Sequence, residues 1–222
     1  MNKEFRNNRK KLQKYTSWVL PAVIIGGWIY PPLGFLLLLC MVGAVGLAFY
    51  NGRVWCDWMC PRGSFYDLFL DKISKKLNIP AMFKTNWFRM VILSLLMGAL
   101  GAQIYYAWGS AYGIGMAFVL VLTITTTAGI VLGAVYKPRA WCQICPMGTL
   151  ANWVSEINKK PLYVSEECKD CKLCAKSCPM ELKPYEHKDS SMPDGDCIKC
   201  GTCVAECPIN ALSFKEELKE AA

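Results

Sequence analysis

Thirteen cysteines stand in 222 residues, and eight of them repeat one spacing. The first copy is Cys168-x2-Cys171-x2-Cys174-x3-Cys178-Pro179 and the second is Cys197-x2-Cys200-x2-Cys203-x3-Cys207-Pro208. Three closely spaced thiolates can wrap three irons of a cubane, and a fourth beyond a proline turn completes a ligand set. Zinc is the competing chemistry, since CxxC pairs also hold it. Zinc takes its four ligands in two pairs, and gives no reason for a third CxxC step or for the proline after each run. The spacing points to a chain that carries electrons.

The run is that of bacterial-type ferredoxins, in which the fourth cysteine ligates the other cluster. On that pattern cluster 1 takes Cys168, Cys171, Cys174 and Cys207, and cluster 2 takes Cys197, Cys200, Cys203 and Cys178. The domain that must position them is expected to be an α+β 2[4Fe-4S] unit over residues 161–222. Leu162–Val164 and Ala211–Phe214 read as short strands flanking the ligand runs. Met180–Asp196 is polar, carries Pro184, Pro193 and Gly195, and reads as a loop. Lys159-Lys160-Pro161 reads as the linker, and the tail after Phe214 as a charged or frayed helix.

Four further cysteines belong to a second repeat. Tyr50-x2-Arg53-x-Trp55-Cys56 aligns with Tyr136-x2-Arg139-x-Trp141-Cys142. Each copy then runs into Cys-Pro-x-Gly, at Cys60-Pro61-Arg62-Gly63-Ser64 and at Cys145-Pro146-Met147-Gly148-Thr149. Helical apolar spacing follows both, through Phe65, Leu68, Phe69, Ile73 and Leu77, and through Leu150, Trp153, Val154 and Ile157. Ser64 and Thr149 are the expected helix starts, with Arg53, Arg62 and Arg139 close to those positive dipole ends. A pseudo-twofold axis would gather Cys56, Cys60, Cys142 and Cys145 into a third metal or redox centre. The bland reading ends two helices at Cys-Pro and anchors the arginines to lipid headgroups. Two aligned pairs favour the centre, and its cofactor type stays open.

The elements between these motifs read as membrane spans. Apolar residues make up 54% of the chain, with mean hydropathy +0.23. Thr16–Tyr50 contains no charged side chain, and one straight helix of that length would measure about 52 Å against a hydrocarbon core of ~30 Å. Pro31-Pro32-Leu33-Gly34 breaks it into a hairpin. Trp87–Trp108 and Tyr112–Tyr136 form a second hairpin about Gly109. The expected architecture is an α-helical membrane protein, four spans as two repeated hairpins over residues 16–160, preceded by a basic cytoplasmic tail, 1–15. Loops on one side carry all the Lys and Arg, which puts both termini and the ferredoxin domain in the cytoplasm of an inner-membrane, multi-pass protein. Up to Pro161 there are 17 basic against 5 acidic residues, an excess explained by topology and lipid contact, with no call for nucleic acid. No small-residue cleavage site follows the first apolar stretch, so it is expected to stay as an anchor.

Inventory excludes some functions. His187 is the only histidine and lies in the ferredoxin loop, so bis-histidine haem is ruled out. Arg89 is the only charged residue in the spans, which argues against ion pumping. Cys40 reads as an apolar filler, and Trp55, Trp58 and Trp141 as interfacial anchors.

Across essentially its whole length, the chain resembles the NapH-type membrane ferredoxins, relatives of the membrane parts of NosR and of CcoG-like proteins. Four spans, a cysteine–proline motif after the second and fourth, and two cubane runs carry the resemblance; Cys142-x2-Cys145 departs from the family's Cys-x3-Cys-Pro. The resemblance implies electron transfer between the quinone pool and a redox partner protein or larger complex. Asp57, Asp67 and Asp71 are the nearest carboxylates that could accept a quinol's protons. Two other classes fit the motifs: a copper reductase or assembly factor using the membrane-edge cysteines, and a structural ferredoxin anchor.

Overall fold

The computed structural model describes residues 2–155, 161–192 and 195–214, with side chains from residue 7 onward. Helix α1 runs from Asn2 to Ile29 and turns through Pro31–Gly34 into α2, Phe35–Asn51. Two short helices follow, α3 (Val54–Trp58) and α4 (Pro61–Phe69). The second half repeats the plan: α5 (Asn86–Tyr106), α6 (Ala111–Val135), α7 (Ala140–Ile144) and α8 (Pro146–Ser155). Ser110 caps α6 by accepting from the Gly113 amide at 3.2 Å.

Among the described residues three helical segments are long and apolar enough to cross a membrane: Pro31–Asn51, Asn86–Tyr106 and Ala111–Val135. Helix α1 is not a fourth by that measure. Its apolar part, Thr16–Ile29, would rise only about 21 Å, and the rest is basic. That basic part, expected as a cytoplasmic tail, is helical, with Arg9 and Gln13 buried. The reason is the pair of acids, Asp57 and Asp67, that it meets below.

Glycine fixes how the hairpins cross. A Cβ on Gly34 would fall 2.4 Å from the Gly115 carbonyl oxygen, and one on Gly115 would fall 2.3 Å from that of Pro31. The Pro31 turn therefore abuts the start of α6, at the same end as the Gly109 turn. Both cysteine–proline motifs lie at the opposite end.

The C-terminal unit is a three-stranded antiparallel sheet, β1 (Leu162–Val164), β2 (Ser190–Met192) and β3 (Leu212–Phe214), in the order β2-β1-β3. Tyr163 pairs with Ser191 on one side and Ser213 on the other. Strand β2 lies in the stretch expected to be loop, where pairing to β1 outweighs a polar composition. Short helices α9 (Leu173–Lys176) and α10 (Thr202–Ala205) carry the third cysteine of each run. The expected linker and C-terminal tail lie mostly outside the described residues.

This unit is seated on the motif end of the helices. Buried Leu162, Val164, Met180, Ile198 and Leu212 share one core with Cys142, and Cys56 packs against it. Glu181 accepts from Lys137 Nζ at 3.0 Å and from the Ile79 amide at 3.2 Å.

Candidate metal centres

The structure brings together each quartet that the cysteine spacing pairs. Cys168, Cys171, Cys174 and Cys207 line one cavity of about 20 Å³, and Cys178, Cys197, Cys200 and Cys203 line another of about 20 Å³. The two ligand runs are built alike. Asp170 and Lys172 flank Cys171 with φ of 51° and 60°, and Lys199 and Gly201 flank Cys200 with φ of 51° and 69°. Left-handed residues on either side of the second cysteine of each run are the kind of backbone from which anion-binding nests are built. Holding three non-glycine residues left-handed costs on the order of 1–3 kcal/mol each, strain of the kind found at ligand clamps. The Leu182 amide donates to Cys178 Sγ at 3.4 Å. Burial pushes the Cys197 thiol up to about 12, against the lowering effect of the Lys199 amide.

Cys56, Cys60, Cys142 and Cys145 line a third, larger cavity of about 160 Å³ at the base of the helices. Burial raises the Cys60 and Cys142 thiols to about 11, opposed by the Gly63 amide at the first and by Arg139 at the second. Trp141, expected as an interfacial anchor, is buried and lines this cavity, and its indole Nε1 has no hydrogen-bond partner. Cys40, expected as an apolar filler, lines the same cavity; the four motif thiols and the adjacent Arg53 guanidinium suit an anionic thiolate-bound centre. Among the described residues no three His, Cys, Asp or Glu side chains converge on one point as a single ion requires. The sulfurs of each quartet line a shared cavity instead.

The repeated arginines have a role that spacing did not reveal. Arg53 donates from Nη2 to the Cys142 carbonyl at 2.7 Å, and Arg139 donates from Nη1 to the Cys56 carbonyl at 2.6 Å. Each thus crosses to the other repeat. Neither is a headgroup anchor, being 1% and 0% exposed. Glycine makes room: a Cβ on Gly63 would lie 2.7 Å from Arg139 Nη1, and one on Gly148 would lie 2.6 Å from Arg53 Nη2. The helices also begin three residues earlier than expected, at Pro61 and Pro146, because proline suits a first helical position. Ser64 and Thr149 are therefore buried inside the first turns. Helix α4 stops at Phe69, short of Leu77.

Beyond the crossing the two arginines differ. Arg139 reaches Asp67 Oδ2 at 2.6 Å and Asp57 Oδ1 at 3.0 Å. Arg9 bonds the same acids, at 2.7 Å to Asp57 and 3.2 Å to Asp67, and its Nη1 reaches Thr202 of α10 at 3.5 Å. Burial pushes the Asp57 carboxyl up despite Arg139 and Arg9. Burial acts on Asp67 in the same sense, but Arg139 and Arg9 outweigh it and hold that carboxyl below its ordinary value. Asp71, by contrast, is an exposed partner of Lys76. Arg53 pairs with Asp196 at 2.6 Å, which also accepts from Arg89 at 2.6 Å and Asn152 at 2.7 Å. Asp196 directly precedes Cys197. Its importance, and that of Arg9, Gln13 and Asn152, was not foreseen; the only signal was a charged Arg89 at the start of an otherwise apolar helix.

Comparison with known proteins agrees with this geometry at the level of domains. The family described as "4Fe-4S binding domain" matches residues 33–80 and 108–162, one match per membrane-side repeat, and that described as "4Fe-4S dicluster domain" matches residues 160–208. The uncharacterised protein MJ0749 of Methanocaldococcus jannaschii is 29% identical over 90% of this chain and 83% of its own length. "Putative electron transport protein YccM" of Escherichia coli is 26% identical over 80% of this chain and 55% of its own length. "Protein RdxA" of Cereibacter sphaeroides is 26% identical over 77% of this chain and 44% of its own. No solved structure matches. The chain therefore carries 4Fe-4S ferredoxin-type domains and is distantly homologous to YccM and RdxA.

Proposed function

We propose that this chain is a membrane-anchored iron–sulfur protein that passes electrons between the quinone pool and a redox partner. Cubanes held by Cys168, Cys171, Cys174 and Cys207 and by Cys178, Cys197, Cys200 and Cys203 would supply one-electron steps at low reorganisation cost. Cys56, Cys60, Cys142 and Cys145 hold a third centre at the membrane edge. The observation that carries this reading is that three separate cysteine quartets each line their own cavity, with all but Cys60, Cys145 and Cys171 packed in or against one core. The Cys178–Cys203 quartet stands next to the membrane side: Gln143 donates to the Met180 carbonyl at 3.1 Å, and Met180 lines that quartet's cavity. Cys171 is exposed, which suits the other quartet to a partner arriving from the aqueous side. The protein's own groups do the rest. Crossed arginines fix the spacing of the membrane-edge cysteines, burial keeps water out, and amide nests meet the clusters' negative charge.

The hairpins span the bilayer with α1 as the fourth, shorter crossing, and the motif end with its buried arginines faces the cytoplasm. Reduction of the ferredoxin clusters by a quinol, followed by their absorbance, tests the function. Cys56→Ala and Cys142→Ala are expected to abolish quinol-driven reduction while dithionite still reduces the ferredoxin clusters. Unchanged quinol-driven reduction in both variants would remove the membrane-edge centre from the path.

A further inference from the structure

The membrane-edge cavity does not end at its cysteines. It continues along α2 from Ala44 to Leu36, a rise of about 12 Å, between apolar walls that include Leu37 and Met41. Val19 and Leu36 line it and are both more than a third exposed, so this arm borders the lipid-facing surface. Where the two parts meet, the twofold repeat breaks. Position x of Cys-Pro-x-Gly is Arg62 in one copy and Met147 in the other, and both line the cavity.

Arg62 is not balanced as Arg9, Arg53, Arg89 and Arg139 are. Two guanidiniums and no carboxylate line the cavity, and Arg53 is neutralised by Asp196. Arg62 donates to Thr125 Oγ1 at 2.9 Å, its guanidinium carbon lies 5.9 Å from the centre of the Trp141 ring, and among the described residues no carboxylate pairs with it. Thr125 is buried and already donates to the Val121 carbonyl at 2.6 Å, so it serves as a fixed acceptor. A guanidinium has five donor hydrogens, most of which stay free here. The Trp141 Nε1 donor beside it is unpartnered and buried. A half-buried cation and an unused N–H next to an apolar channel call for an electron-rich oxygen on an otherwise apolar molecule.

We propose that Arg62, oriented by Thr125 and Trp141, is the residue that binds a quinone headgroup, donating to its carbonyl oxygen while the tail lies in the α2 arm. The assignment rests on the quinone-linked function above. It places the headgroup on the first-repeat side of the cysteines, because Met147 offers no donor on the other.

The test is binding of decylubiquinone to the full-length, anaerobically purified protein in nanodiscs, read by quenching of tryptophan emission. Arg62→Met, which copies the second repeat, is expected to weaken binding by about tenfold or more, and Arg62→Lys by no more than about threefold. Unchanged affinity in Arg62→Met would overturn the assignment. So would a shifted cluster midpoint potential with unchanged affinity, since Arg62 would then serve only the cysteine centre. Absence of binding in the unaltered protein would instead refute the quinone reading itself. Should Arg62→Met lose its visible cluster spectrum, Thr125→Val decides. It keeps the charge but frees the side chain, and is expected to weaken binding about three- to fivefold; wild-type affinity there would overturn the assignment.

Discussion

At the scale of single residues, the membrane-edge motif is a mutual brace. Arg53 holds the carbonyl of Cys142, Arg139 holds that of Cys56, and Gly148 and Gly63 leave the space in which each guanidinium sits. Gly148→Ala should therefore act on Arg53 before it acts on its own helix. Its Cβ would lie 2.6 Å from Arg53 Nη2 and 2.8 Å from the Cys142 oxygen, and only one of those can yield cheaply. The expected outcome is loss of the membrane-edge centre, with overpacking of about 1–3 kcal/mol, while the ferredoxin clusters remain. Electron paramagnetic resonance of the reduced variant checks this; a full set of cluster signals would contradict it. The motif's residue types were legible in the sequence, since Arg, Trp, Cys, Pro and Gly recur at matching offsets in both copies. That each arginine serves the other copy was not, because spacing reports neighbours along a helix and says nothing about which side chains cross a pseudo-twofold axis. Arg9 shows the same limit: a basic N-terminal stretch looks solvated until Asp57 and Asp67 are found opposite it.

Among elements, the crossing at Gly34 and Gly115 sets how the first hairpin lies on α6. Gly115→Ala would place a methyl group 2.3 Å from the Pro31 carbonyl, a backbone atom that cannot swing aside. Its thermal midpoint in detergent should fall by several degrees, as expected for a loss of about 1–3 kcal/mol. Gly98→Ala is the control. Nothing lies within 4 Å of its added Cβ, and alanine favours a helix, so its midpoint should hold or rise slightly. Equal behaviour of the two variants would show that the crossing does not hold the hairpin. Helix ends were partly legible: Pro31, Gly109 and the Cys-Pro steps all mark boundaries. Two things misled. Ser64 and Thr149 looked like helix starts although proline had already begun each helix, and β2 was hidden because a three-residue strand of Ser190, Ser191 and Met192 exists only through its pairing with β1.

For the whole molecule, the decisive feature is the seat of the ferredoxin unit. Asp196, one residue before Cys197, is gripped by Arg53, Arg89 and Asn152, while Arg9 links Asp57 to Thr202 farther along the same run. Removing one partner from a buried pair of this kind costs about 3–5 kcal/mol, because the remaining charge is left uncompensated. The order of parts, hairpin–motif–hairpin–motif–ferredoxin, was readable from composition and repeats. The seat was not, because its contacts join residues far apart in the chain, such as Arg89 and Asp196, 107 positions from each other, that share no local pattern. Two of the cysteine quartets lie in the ferredoxin unit and one at the base of the helix hairpins. The central claim is that all three hold iron–sulfur clusters, and counting iron and acid-labile sulfide in the anaerobically purified, full-length protein tests it most directly. Three cubanes predict about twelve of each per chain, whereas about eight of each would leave the membrane-edge cysteines without a cubane and contradict the account.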